Sequence, residues 1–198
     1  MKYVRIQEER IRKLLRPGKV VVLYGARQVG KTTLVKELAA KSGEPYLYVT
    51  GEDITVRDYL GSRSLVKLQE FVGSKKLLVV DEAQYVPEIA LNLKMIVDSM
   101  PEVRVLATGS SSLQLARDVG EPLTGRGTTL QLFPLSQSEM APHESRHETE
   151  ARLESRMVFG SYPEVVTTPD NELRMLYLRD LVRFQLLKDI FELEGVRF

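Results

Sequence analysis

The sequence predicts a three-layer α/β domain built on a largely parallel sheet, and three observations carry that prediction. Five short β-rich runs, Val20 to Gly25, Tyr46 to Gly51, Lys76 to Glu82, Val103 to Ser110 and Thr128 to Leu132, begin about 25 to 30 residues apart, the spacing of strand, crossover helix, strand units. The stretches between them carry apolar residues at helical spacing. Strands such as Leu77-Leu78-Val79-Val80 show no polar alternation, so helices are expected over both faces of the sheet.

Length and composition agree with one such core. The chain has 198 residues, 43% hydrophobic and 28% charged, within the range of globular proteins and outside that of disordered or fibrous ones. It contains no cysteine, which removes disulfide frameworks, thiolate metal sites and cysteine nucleophiles. A net charge of +1 gives no global field for nucleic acid or an anionic membrane. Locally, Lys2, Arg5, Arg10, Arg12, Lys13, Arg16 and Lys19 face only Glu8 and Glu9, so Met1 to Lys19 is a basic segment. The longest apolar runs, Val20 to Tyr24 and Leu77 to Val80, are far shorter than the roughly 20 residues of a membrane span. With no apolar leader core near the start, a cytoplasmic location is expected.

In chain order, Arg5 to Leu15 reads as a helix ended by Pro17 and Gly18. Helices are expected over Lys31 to Lys41, Val56 to Phe71, Ile89 to Met100 and Ser111 to Val119. After Pro134 the composition shifts. The polar tract Glu139 to Glu154 reads as a loop leading into a helix from Thr149 to Gly160, and a last helix spans Asn171 to Leu193. Its apolar face, Leu173, Leu176, Tyr177, Leu181, Phe184 and Leu187, has little chain left to cover it, so either a continuing polypeptide or a second copy is expected there. The organisation expected is a core with an N-terminal helix at 1–135, a small helical lid at 136–170, and the truncated start of a C-terminal helical domain at 171–198.

Gly25-Ala26-Arg27-Gln28-Val29-Gly30-Lys31-Thr32 fits the phosphate-loop pattern G-x-x-x-x-G-K-[ST] at every fixed position, between a strand and an amphipathic helix. The pattern has a physical cause. Glycines let successive N–H groups turn inward around an anion, and the following helix aims its positive end at the same place. Lys31 is then expected between the β and γ phosphates, the Thr32 hydroxyl on Mg²⁺, and Thr33 at the α phosphate. Ala26, Arg27, Gln28 and Val29 complete the loop that lines the nucleotide.

Lys76 to Glu82 is an apolar strand ending in two carboxylates, at the edge where a parallel sheet opens its ligand crevice. Asp81 is expected to hold Mg²⁺ and Glu82 to orient and deprotonate water, a pairing that suits a hydrolase. Val103 to Ser110 delivers hydroxyls to the same edge. Ser110, with Thr108 second, is the candidate contact to the γ phosphate or water, against the alternative that Ser110 caps the next helix. Arg126, between Gly125 and Gly127, is a candidate to enter a nucleotide site in its own or a neighbouring subunit, or to form a surface ion pair. Gln84 is a further polar neighbour of these motifs. Arg152, Arg156, Arg174, Arg179 and Arg183 are helical arginines from which no single phosphate sensor stands out, and His143 and His147 fall in a tract read as solvated.

Taken in order, the phosphate loop, Asp81-Glu82-Ala83-Gln84, Thr108-Gly109-Ser110-Ser111, Thr124-Gly125-Arg126, Phe133-Pro134-Leu135-Ser136 and Gly160-Ser161-Tyr162-Pro163-Glu164 resemble the prokaryotic AAA-type ATPases related to the origin-recognition and STAND groups. The resemblance covers about Arg5 to Ile190. It implies a P-loop NTPase sheet ordered 5-1-4-3-2, a small helical lid, ATP with Mg²⁺, and a following domain of uncharacterised function. It also implies Gly25, Gly30, Lys31 and Thr32 as nucleotide ligands, Asp81 and Glu82 as the metal and water pair, and Ser110 as a first sensor. Gln28 stands where relatives often have a second arginine, and no residue after the fifth strand matches a second-sensor motif.

The function expected is Mg²⁺-dependent ATP hydrolysis coupled to a conformational change in a partner-binding module. Two alternatives remain: a nucleotide-gated scaffold or DNA-associated regulator with little turnover, and a small P-loop kinase. The partners left open are a second copy of the chain, and DNA or a protein client met through the basic segment or a C-terminal domain. No membrane partner is expected. The lid tract is acidic, with five glutamates against two arginines in Glu139 to Glu154, which disfavours a kinase. No Asn-Lys-x-Asp string occurs, which disfavours guanine.

Overall fold

The computed structural model describes residues 2–110 and 123–186, so the helix expected over Ser111 to Val119, and Leu187 to Leu193 of the last one, lie outside the described residues. Five strands form one sheet: β1 (Val20–Tyr24), β2 (Tyr46–Thr50), β3 (Leu77–Asp81), β4 (Arg104–Gly109) and β5 (Gly127–Gln131). All four neighbouring pairs are parallel and the order is β2-β3-β4-β1-β5, which is 5-1-4-3-2 read from the other side. The sequence explains the order of burial. Every residue of β3 is buried, as an unbroken Leu and Val run requires, whereas the outer strands YLYVT and GTTLQ keep polar residues and are half-exposed. Because all five strands run the same way, their C-terminal ends share one edge.

By their contacts, the described residues divide into two compact units, the first being residues 7–26, 31–110 and 123–132. This unit carries the sheet and five helices, α1 (Ile6–Leu14, whose first residue falls in the other unit), α2 (Lys31–Ala40), α3 (Ile54–Leu60), α4 (Leu65–Val72) and α5 (Ile89–Ser99). One face of the sheet, with Val22, Leu78, Val80 and Val105, packs into a core with Leu60, Leu68, Leu93 and Ile96. The single helix expected over Val56 to Phe71 is two. Gly61 ends α3, and Arg63 takes a left-handed backbone at φ 53°. The Arg63 N–H donates to Oδ1 of the fully buried Asn92 at 2.9 Å, which fixes the break.

The second unit is residues 2–6, 27–30 and 133–186. It consists of short helices, α6 (Gln137–Met140), α7 (Arg146–Ala151), α8 (Leu153–Phe159), α9 (Pro163–Thr167) and α10 (Asn171–Asp180), the last widening into a π turn over Leu181–Leu186. The tract expected to be a loop is organised by two capping boxes. Ser136 with Glu139 starts α6, and Ser145 with Glu148 starts α7. The helix expected from Thr149 to Gly160 is divided at Arg152 into α7 and α8. On α10, Leu173 and Leu176 are exposed, Tyr177 is half-buried, and Leu181 just beyond is buried. The expected apolar face is therefore only partly covered among the described residues.

Candidate functional site

The shared edge of the sheet gathers the chemistry-bearing residues of the first unit. β1 ends at Tyr24 and the chain turns at once at Gly25, where a Cβ would lie 2.2 Å from the Leu132 carbonyl oxygen. No side chain fits that approach. Lys31 opens α2 and is buried; its Nζ donates to the carbonyls of Gly25 and Ala26, both at 2.9 Å. The ammonium group thus braces the loop that it closes. Thr32 is half-buried and Thr33 exposed in the same first helical turn, whose backbone N–H groups have no partner within the helix.

Between Ala26 and Lys31 the chain belongs to the second unit, where Gln28 and Gly30 both have positive φ, 61° and 98°. A non-glycine residue held there costs strain of the order of 1 kcal/mol and marks a loop shaped by its surroundings. In that unit the buried Arg5 donates from Nη1 to the Val29 carbonyl at 2.7 Å.

Two strands away from β1, β3 delivers Asp81 and Glu82. Asp81 is 4% exposed. It accepts a hydrogen bond from the Tyr48 hydroxyl of β2 at 2.7 Å and another from the Thr108 hydroxyl of β4. Burial, together with the Asp81 carboxylate to which it donates, pushes the Tyr48 phenol well above its ordinary range, so Tyr48 remains a donor. Glu82 follows in a left-handed conformation, φ 48° and ψ 46°. Its N–H donates to Thr108 Oγ1 at 3.0 Å, and its carboxylate accepts from Gln84 Nε2 at 2.5 Å. Thr108, at the end of the strand between β3 and β1, therefore orients both acidic residues.

Ser110 is buried just past β4, on the same edge. Arg126 is elsewhere. Gly127 lies opposite Val20 in the β1–β5 register, and the Val20 N–H donates to the Arg126 carbonyl, so Arg126 stands at the N-terminal edge. A five-residue strand, about 16 Å, separates that edge from the loop after β1. The Arg126 side chain pairs with Asp98 on the α5 helix.

The seven cations of the N-terminal segment do not form one surface. Arg5 is buried, Arg12 and Lys13 pair with Glu8 and Glu9 along α1, and Lys19 donates to the Gly125 carbonyl. In the second unit Arg152 and Arg156 both meet Glu144, whose carboxyl burial would raise but whose bonds to the two guanidinium groups lower below the ordinary range. Arg174 donates to the Thr168 carbonyl and to Ser155 Oγ. These three arginines border an open cavity of about 620 Å³ in that unit. His143 packs its ring edge-on to Tyr3 and His147 is exposed. Among the described residues no cluster of three or more His, Cys, Asp or Glu is arranged to hold a metal ion, and no helix is long and apolar enough to cross a membrane.

Sequence reading overlooked Tyr48, the bridging place of Thr108, and the buried pair Arg5 with Glu139. For the pair, the only local trace was the Ser136-Gln137-Ser138-Glu139 capping pattern.

A parallel five-stranded sheet in this order, with a glycine-lysine loop after its first strand, defines a P-loop NTPase fold of the AAA type. Residues 17–141 match the AAA domain family, and the chain belongs to that family. In sequence it is similar to the uncharacterized protein MJ1544 of Methanocaldococcus jannaschii, 24% identical over 195 residues, covering 91% of this chain and 44% of that protein. It is also similar to the uncharacterized protein Rv2008c of Mycobacterium tuberculosis, 28% identical over 190 residues, covering 95% and 40%. The chain thus spans less than half the length of these curated relatives. Among solved structures it is similar to a DNA replication initiation factor at 15% identity, with TM-score 0.48 and coverage of 88% of this chain and 59% of that one. A replication initiator DnaA bound to AMPPCP and single-stranded DNA is similar at 16% identity, with TM-score 0.49 and coverage of 89% and 66%.

Proposed function

We propose that this chain binds ATP with Mg²⁺ and hydrolyses it, and that turnover changes the state of a partner-binding module. The observation that carries the reading is the convergence, at one edge of one sheet, of the Lys31-braced loop with Asp81 and Glu82 held by Thr108. The donor set fits magnesium in particular. One buried carboxylate and one threonine hydroxyl are too few for an all-protein cation cage, but they suit an ion that keeps waters and takes its remaining ligands from phosphates.

In this reading the N–H groups of Gly25 to Thr33 receive the phosphates, and Lys31 sets its charge beside the β and γ groups. Thr32 and Asp81 are the residues that would hold a magnesium ion, and its charge would offset the negative charge of the phosphoryl oxygens. Tyr48 and Thr108 keep the Asp81 carboxylate turned to one orientation. Glu82 accepts a proton from water as the water oxygen bonds to the γ phosphorus. The bond from that phosphorus to the bridging oxygen breaks, leaving ADP and phosphate. Ser110 contacts the γ phosphate or the water. Arg126 stands a strand length from its own loop, so any role in catalysis is served in a neighbouring copy.

The test is ATP-dependent phosphate release. Lys31→Ala abolishes it together with binding, while Glu82→Gln abolishes release and retains nucleotide; wild-type protein that fails to bind ATP overturns the reading. A second reading, a nucleotide-gated scaffold with little turnover, is favoured by the Gln84 amide that engages the Glu82 carboxylate. Under it, wild-type protein binds ATP tightly with almost no release, and Gln84→Ala raises turnover.

A further inference from the structure

Arg5 makes three hydrogen bonds at a site where only 9% of the residue remains exposed. Nη1 donates to the Val29 carbonyl at 2.7 Å, Nη2 to the Phe133 carbonyl at 2.6 Å, and Nε to Glu139 Oε1 at 3.0 Å. Glu139 is itself held from both sides, for Oε1 accepts the Ile6 N–H and Oε2 the Ser136 N–H, each at 2.9 Å. Burial would raise this carboxyl, but the two backbone N–H groups and the guanidinium outweigh it and hold the group below the ordinary carboxylate range. An apolar pair of similar volume commonly replaces a buried ion pair at little cost, but here it would leave the Val29 and Phe133 carbonyls and the Ile6 and Ser136 N–H groups without these partners.

What an apolar pair lacks is a grip on the Val29 carbonyl. In a planar trans peptide the C=O and the following N–H point in opposite directions, so a donor that fixes the Val29 oxygen also aims the Gly30 N–H the other way. Gly30, at φ 98°, has no side chain to hinder a flip of that peptide. A flipped peptide would present an oxygen in place of an N–H, turning attraction for an anion into repulsion. A lysine at position 5 would give one point charge, whereas the planar guanidinium reaches two carbonyls and a carboxylate at once.

We propose that Arg5 is a positioning residue of the phosphate loop: it locks the Val29–Gly30 peptide so that the Gly30 N–H is available to phosphate, and Glu139 holds Arg5 in register. The proposal rests on the nucleotide-binding reading above for its ligand, though not for its geometry.

The test uses the double variant Arg5→Met/Glu139→Met, which removes both buried charges together. It is expected to melt below the wild-type temperature, since the Val29 and Phe133 carbonyls and the Ile6 and Ser136 N–H groups lose their partners, to bind ADP about tenfold or more weakly, and to keep its affinity for adenosine, measured by ligand-observed NMR. In nucleotide-free ¹⁵N-labelled protein the Gly30 amide resonance is expected to broaden or double as the peptide flips. Unchanged ADP affinity with a single sharp Gly30 resonance overturns the proposal, as does an equal loss for ADP and adenosine. If the double variant does not fold, Arg5→Lys keeps a charge opposite Glu139 and gives the same split between ADP and adenosine at about threefold. Wild-type protein that binds no nucleotide defeats the functional reading, while the Gly30 resonance still decides whether Arg5 sets the peptide.

Discussion

The two units of this protein are held together by different physics. In the sheet unit all of β3, most of β1 and most of β4 are buried and, Asp81 and Thr108 apart, apolar, and helices α2 to α5 add Leu34, Leu60, Leu68, Leu93 and Ile96. In the helical unit the buried apolar residues among those described are Val29, Leu135, Met140, Val165 and Leu181. Charged groups supply the rest: Arg5 with Glu139, Glu144 with Arg152 and Arg156, and capping boxes at Ser136 and Ser145. Burial by area tolerates changes of solution conditions. Hydrogen-bonded charge depends on protonation and geometry, so the helical unit is expected to be the more sensitive of the two to acid.

The largest effect expected is that of Leu78→Asp, which puts a carboxylate at a fully buried position of the sheet core. It should abolish the cooperative melting transition seen by circular dichroism. Glu139→Ala comes next. It leaves the Arg5 guanidinium buried without its carboxylate, a loss of about 3–5 kcal/mol. Hydrogen exchange should rise in residues 2–6, 27–30 and 133–186 while β1, β3 and β4 stay protected; uniform loss of protection would break the contrast.

Acidification should act in the same direction. Glu139 and Glu144 are held below the ordinary glutamate value when folded, so the unfolded chain binds protons first as pH falls. Their stabilisation is complete above about pH 4.3 and fades as pH drops through their folded values. Exchange in the helical unit should therefore accelerate below that pH before exchange in the sheet does. Ser145→Ala removes one cap and should cost about 1 kcal/mol, detectable as a small shift in a denaturant midpoint. Arg12→Ala, which breaks an exposed pair one helical turn apart, should cost about 0.3–0.5 kcal/mol and lose even that at high salt.

The same division governed what could be read from sequence. Strands buried on both faces appear as continuous Val and Leu runs, which reveal β1, β3 and β4, while the regular spacing reveals the half-exposed β2 and β5; all five lie within about a residue of their expected ends. The glycine-lysine loop and the Asp81-Glu82 pair were legible because they are local strings. The break at Gly61–Ser64 was not, since it depends on Asn92 reaching the Arg63 N–H from another helix. Ser136-x-x-Glu139 and Ser145-x-x-Glu148 were helix starts written in the sequence, hidden by the polarity of the tract around them. Arg5 was counted with the surface cations, for nothing near position 5 announces a carboxylate 134 residues away. Tyr48 was passed over for a similar reason, because its partner Asp81 lies on the neighbouring strand.

The uniform direction of the strands also gives the molecule two chemically separate rims. Lys19, Gly125 and Arg126 occupy one, and the glycine-lysine loop with its acidic companions the other. In a chain that contains no cysteine, a thiol introduced at the exposed Thr128 would be unique. A fluorophore attached there would sit about a strand length from the glycine-lysine loop, so it would test for contact with a second molecule independently of any test of nucleotide at the loop.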